Sequence, residues 1–313
     1  MIKSISILIL FVVSLSSLGI ASNALNCDVK IAVLDTGIEA THEQFYPGQV
    51  VAWKDFVDVW FTSEPRDDHG HGTATASLVA GKTLGTFPGA KLVVGKVLDS
   101  DGTGSWADVQ DGIRWAIKQN VSVISLSLGG LIPSTLGLDS DVDEAVEEAY
   151  RKNITVVVAA GNQYAEPSEL VAIGYSPYSF VAGAADVNKV PAYFSNLDPE
   201  IVANGVDVYT AYLGNSYTIW SGTSFSTPQI AGWIGQMYNR YCGLITPNIA
   251  ENAIKSTAKD SILPYTKEGH GFVNQTSANI AIERAFDPSL KPEISNAWYN
   301  YGSDMIRYVW ITG

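Results

Sequence analysis

The chain is written as short, nearly unbroken apolar runs alternating with helical patterns. Residues 29–34, 91–98, 121–128 and 154–160 are the apolar runs. Runs of this length with little polar alternation fit strands covered on both faces. Between them the period changes. Ser105 opens one helical stretch, with Asp108 three residues on as in a capping box. Val109, Ile113, Ala116 and Ile117 form its apolar face. Residues 141–152 form a second helical stretch, with Val142, Ala145, Val146 and Ala149 on one side. Strand, helix, strand, helix, strand at this spacing predicts crossover units. The expected fold is therefore α/β, a mostly parallel central sheet with helices on both faces. In such sheets, sites form beyond the carboxyl ends of the strands. Asp35, the pair Gly129-Gly130 and the pair Gly161-Asn162 all stand at predicted strand ends.

With 313 residues, the chain can bury a large core as one unit. Its net charge of −13 and lack of a basic patch exclude nucleic acid as a partner. The first 24 residues read as a signal peptide: Lys3, an apolar run over 5–13, then small residues through Ala24. The run is too short to span a membrane, and no second run is long enough, so the mature protein is expected to be secreted or periplasmic with no membrane span. The sequence leaves Cys27 and Cys242 open between a disulfide and two free thiols. The catalytic domain is expected over 25–286, with 287–313 an aromatic-rich extension.

Four stretches carry candidate chemistry. Asp35 lies in Asp-Thr-Gly, which alone is equally a strand-ending turn or half of an aspartic-protease dyad. His71 is followed by Gly72, Thr73, Ala74, Thr75 and Ala76, small residues suited to a tightly packed mount for a general base. His69 and His71 without a third ligand in a known spacing make a poor metal set. Asn162 ends an apolar strand, where an amide can donate to an oxyanion. Ser224 precedes Pro228 and a helical stretch. It is thus placed near a helix N-terminus, with Pro228 itself expected near that start.

Together, Asp35-Thr-Gly, His71-Gly-Thr, Ala160-Gly-Asn162 and Gly222-Thr-Ser224 through Pro228 resemble the signatures of the subtilisin-like serine proteases, in that family's order. Residues 125–130 resemble its substrate-binding strand, and the resemblance covers roughly 28–286. It implies a polypeptide substrate and a triad of Asp35, His71 and Ser224. It implies an oxyanion hole from Asn162 and the Ser224 N–H. The substrate would bind as an added strand between Ser127-Leu128-Gly129 and Gly102-Thr103-Gly104, beside a pocket at Trp106. No cofactor is required. Calcium elsewhere stays open, but the usual calcium loop falls at 81–85 and carries no carboxylate. Only roughly ten residues separate the signal peptide from Asp35. The expectation is folding without a cis propeptide, or with a propeptide or inhibitor acting in trans. Three other readings compete. They are a catalytically silent scaffold acting as a binding protein, an acyl transferase, and a dimeric aspartic protease.

Overall fold

The computed structural model describes residues 27–58, 63–129, 140–164, 176–260 and 263–286. Residues 1–26 and 287–313, with the expected signal peptide and extension, and Gly130 lie outside the described residues.

The sheet is parallel and has seven strands. In chain order they are β1 (Lys30–Asp35), β2 (Val50–Asp55), β3 (Lys91–Lys96), β4 (Val123–Leu126), β5 (Thr155–Ala159), β6 (Ser179–Ala185) and β7 (Ile201–Asn204). Their spatial order is β2-β3-β1-β4-β5-β6-β7. A separate antiparallel hairpin joins β8 (Val208–Tyr212) to β9 (Ser216–Trp220). The helices are α1 (His71–Ala80), α2 (Trp106–Lys118), α3 (Ser140–Arg151), α4 (Thr223–Tyr241), α5 (Pro247–Thr257), α6 (Tyr265–Glu268) and α7 (Gln275–Phe286).

Alternation along each strand divides the core in two. Ile31 and Val33 of β1 join Leu92, Val94, Val123 and Val157 against α1 and α4. The intervening Ala32 and Leu34 join Val93, Ile124, Leu126, Val156 and Val158 against α2 and α3. Side chains two apart on a strand share a face, so apolar residues at both parities require helices above and below. The expected three-layer α/β arrangement is what the structure shows. At the head of α2, the Ser105 hydroxyl accepts from the Asp108 N–H at 3.1 Å, closing the predicted cap.

One expectation needs correction. Pro228 is not at a helix start: α4 begins at Thr223 and carries Pro228 in its interior. A proline there removes an intrahelical bond, at a cost of about 3 kcal/mol in an ordinary helix. The carbonyl deprived by Pro228 is that of Ser224, four residues earlier. It accepts from the Ser127 hydroxyl instead, at 2.8 Å.

Cys27 and Cys242 form a disulfide, with Cα atoms 5.6 Å apart. It ties the entry to β1 to the C-terminal end of α4.

Candidate active site

Asp35 is the last residue of β1 and is fully buried. A buried carboxylate must have its oxygens satisfied. Oδ1 accepts from the Thr36 N–H at 2.7 Å and from His71 Nδ1 at 2.7 Å. Oδ2 accepts from the Thr75 hydroxyl at 3.2 Å. A carboxylate only accepts, so the proton in this bond belongs to His71 Nδ1. This leaves His71 Nε2 to accept.

His71 opens α1, and the loop before it is staked by Asp67. Asp67 Oδ1 accepts from the N–H groups of His69 (3.1 Å) and Gly70 (2.8 Å) and from the Thr36 hydroxyl (2.9 Å). Its Oδ2 accepts from the N–H (2.8 Å) and hydroxyl (2.7 Å) of Thr73. Burial alone would raise the Asp67 carboxyl, but these bonds outweigh it and hold the group below the ordinary carboxylate value. Lys96, fully buried on β3, reaches the same loop through Asp68 Oδ1 at 2.7 Å. It also donates to the carbonyls of Thr36 (3.2 Å) and Leu98 (2.8 Å). Two glycines let the strand-end and helix-start motifs touch. A Cβ on Gly37, which has φ +119°, would overlap the Arg66 carbonyl, and one on Gly72 would overlap the Gly37 carbonyl.

Burial pulls the His71 imidazole toward neutrality. The Asp35 charge and hydrogen bond, with the Asp67 charge, push harder the other way, and its pKa lies above the ordinary 6.5. The ring is flanked edge-on by Phe225 at 5.5 Å and Trp220 at 6.1 Å between centroids.

Ser224 is the second residue of α4, as its placement near a helix N-terminus predicts. Its hydroxyl donates to the Ser127 carbonyl at 3.2 Å. On the neighbouring strand end, Asn162 Oδ1 accepts from the Thr223 N–H (2.8 Å) and the Thr223 hydroxyl (3.0 Å). With its oxygen so held, Asn162 turns its Nδ2 donor beside Gly222, where an added Cβ would lie 3.3 Å away.

These groups share a cleft of ≈ 490 Å³. His71, Asn162 and Ser224 line it, and Asp35 sits behind His71. Ser127, Leu128 and Gly129 form one wall; Gly102, Gly104 and Trp106 form another. The expected catalytic, oxyanion and substrate-wall residues thus lie in this cleft or directly behind it. The glycines of the second wall first serve their own segment. Gly102 has φ +73°, in a turn where Asp99 Oδ1 accepts from the N–H groups of Asp101 and Thr103, both at 2.9 Å. A Cβ on Gly104 would overlap the Val97 carbonyl.

Sequence reasoning missed Thr75, Thr223, Asp67 and Lys96. Thr223 had a signal: a hydroxyl residue beside the candidate nucleophile, at a helix start where N–H groups need partners. Lys96 had a weaker one, a cation inside an apolar strand.

A buried carboxylate–imidazole pair and a helix-borne serine on one rim of a parallel sheet are the parts of a serine hydrolase. The sequence profile described as the subtilase family matches residues 26–279, and the chain belongs to that family as a subtilisin-like serine endopeptidase. It is 37% identical to subtilisin DY of Bacillus licheniformis over 241 residues, 74% of this chain and 84% of that protein. It is 36% identical to thermitase of Thermoactinomyces vulgaris, over 73% of this chain and 80% of the relative. An intracellular serine protease of Paenibacillus polymyxa is 33% identical, over 83% of this chain and 82% of the relative. Among solved structures, a cold adapted subtilisin-like serine proteinase superposes with a TM-score of 0.68 at 28% identity, covering 79% of this chain and 86% of that one.

Proposed function

We propose that this chain is an exported endopeptidase in which Ser224 is the nucleophile, His71 the general base and Asp35 the group that orients His71. The observation that carries the reading is the 2.7 Å bond between Asp35 Oδ1 and His71 Nδ1, which commits the ring's other nitrogen to accepting a proton in the cleft that Ser224 lines. Rotation about the Ser224 Cα–Cβ bond turns the hydroxyl from the Ser127 carbonyl toward that nitrogen. Such bonds tighten as substrate binds.

The steps follow from the groups present. Ser224 Oγ adds to the scissile carbonyl as its proton passes to His71 Nε2. The oxyanion receives the Ser224 N–H and the Asn162 Nδ2 donor. His71 then protonates the leaving amine, the C–N bond breaks, and an acyl-enzyme remains. Water attacks that ester with its proton going to His71; the acyl C–Oγ bond then breaks, Ser224 Oγ takes the proton back from His71, and the peptide leaves with a free carboxyl terminus. No metal or cofactor enters these steps. The substrate lies extended against Ser127-Leu128-Gly129 on one side and Gly102-Thr103-Gly104 on the other, with the Trp106 pocket receiving an upstream side chain.

Two observations support export. The first 24 residues have the pattern of a signal peptide. The Cys27–Cys242 disulfide fits an oxidising compartment. Among the described residues, no helix is long and apolar enough to cross a membrane.

The test is cleavage of a quenched fluorescent peptide library with product masses read directly. The reading predicts free carboxyl termini from the wild type and no turnover by Ser224→Ala. Acyl transfer to added amines in preference to water would contradict hydrolysis. Turnover surviving in Ser224→Ala would contradict the nucleophile.

A further inference from the structure

Resting on Ser224 as the nucleophile, we infer that the Ser127 hydroxyl is a positioning residue for Ser224, standing in for the backbone N–H that Pro228 lacks.

The direction of a serine hydroxyl and of its own N–H is set by the two peptide units that flank its Cα. The unit before Ser224 is held through the Thr223 carbonyl, which accepts from the Ser226 hydroxyl at 2.9 Å and the Thr227 hydroxyl at 2.8 Å. The unit after it exposes the Ser224 carbonyl to the gap left by Pro228. There the Ser127 hydroxyl donates to it at 2.8 Å. Ser127 is 4% exposed and follows the last residue of the central strand β4, so the donor is rigidly mounted. The same residue's carbonyl accepts the Ser224 hydroxyl at 3.2 Å. The bond is therefore reciprocal. One residue holds the nucleophile's backbone with its side chain and its side chain with its backbone.

The hydroxyl of Ser127 bonds α4, whereas substrate is expected along the Ser127 backbone. Losing the hydroxyl should then leave peptide binding intact and disorder the nucleophile. It would strand a carbonyl that only a new N–H at position 228 can satisfy. This couples two residues that share no bond with each other.

The experiment is a double-mutant cycle of Ser127→Ala and Pro228→Ala. It is read by kcat, KM and the labelling rate with a fluorophosphonate probe, with folding checked by circular dichroism. Ser127→Ala is expected to lower kcat and labelling about tenfold, the scale of leaving one buried acceptor unpaired, at unchanged KM. Pro228→Ala alone is expected to change either rate less than about threefold. The double variant is expected to return to within about threefold of wild type, a non-additivity typical of coupled neighbours. A purely structural hydroxyl would lower the melting temperature and leave kcat alone. Additive losses, an unaffected Ser127→Ala, or a parallel rise in KM would overturn the inference. Should Ser127→Ala fail to fold, a folded and active double variant still supports the coupling, and an unfolded one overturns it. A folded wild type that the probe does not label removes the nucleophile reading and this inference together. A labelled wild type with additive variants removes this inference alone.

Discussion

Asn162 is bound to Thr223 twice: its Oδ1 accepts from the Thr223 N–H at 2.8 Å and from the Thr223 hydroxyl at 3.0 Å. The Thr223 hydroxyl in turn accepts from the Gly161 N–H at 3.0 Å. The amide oxygen is fully engaged, so the amide can present only its Nδ2 donor to the cleft. A group fixed before substrate arrives costs no reorganisation when charge develops.

In the proposed oxyanion role the Asn162 donor meets charge that exists only in the transition state, so Asn162→Ala should lower kcat by about 100- to 1,000-fold with KM little changed. Thr223→Val removes the hydroxyl bond to Asn162 Oδ1 and keeps the backbone N–H bond, so the amide is held less firmly and kcat should fall by less, about tenfold, the scale of one hydrogen bond. Steady-state kinetics on one peptide amide measures both. A loss confined to KM would show that Asn162 binds ground-state substrate.

The pH profile has a defined sign. In its proposed role as general base His71 acts when neutral, and the Asp35 and Asp67 charges hold it above the ordinary imidazole value of 6.5 despite its burial. The acid limb of kcat/KM should therefore have its midpoint above pH 6.5. Asp35→Asn removes the chief opposing charge, so its limb should move to lower pH while kcat falls about 10⁴-fold. A limb that stays in place in Asp35→Asn would show that another group titrates.

A second titration lies outside the cleft. Glu251 on α5 has one carboxylate oxygen buried without a partner. Burial raises it and the Glu200 charge adds to this, against Lys255, to about 7 from 4.5. The folded state then binds the proton more tightly than the unfolded one. Stability is present in full below about pH 4.5 and is lost as pH rises toward 7. Glu251→Gln should raise stability at pH 8 by about 2 kcal/mol, or roughly 5 °C in Tm, and give no gain near pH 4. Equal Tm shifts at both pH values would contradict this.

The disulfide closes most of the chain, with a sequence separation of 215 from Cys27 to Cys242. Restricting the unfolded chain over so long a loop is worth up to about 5 kcal/mol. Cys27→Ser with Cys242→Ser should lower Tm markedly and leave kcat at 25 °C unchanged, since neither sulfur lines the cleft. Thermal melts beside kinetics separate the two effects.

Local order in the sequence foretold local order in the fold. The cap at Ser105, the apolar faces of α2 and α3, and the strand ends at Asp35 and Asn162 are all statements about neighbours in the chain, and they hold in the structure. Strand ends were read long: 121–128 becomes Val123–Leu126, because the last positions leave the ladder to wall the cleft. What could not be read is pairing at a distance. Nothing near Ser127 says that its hydroxyl completes a helix that starts 96 positions later at Thr223. Pro228 was placed at a helix start by a local rule, and a distant side chain relaxed the rule. The strands β6 and β7 were missed because the chain beside them is dense in Gly, Pro and Asn, so no long apolar run stands out.

The measurement that bears most directly on the central claim is fluorophosphonate labelling followed by peptide mass mapping. The account predicts a single adduct on Ser224 in the wild type. It predicts no adduct in Ser224→Ala, and labelling slowed by several orders of magnitude in His71→Ala. An adduct on any other residue, or undiminished labelling without His71, would contradict it.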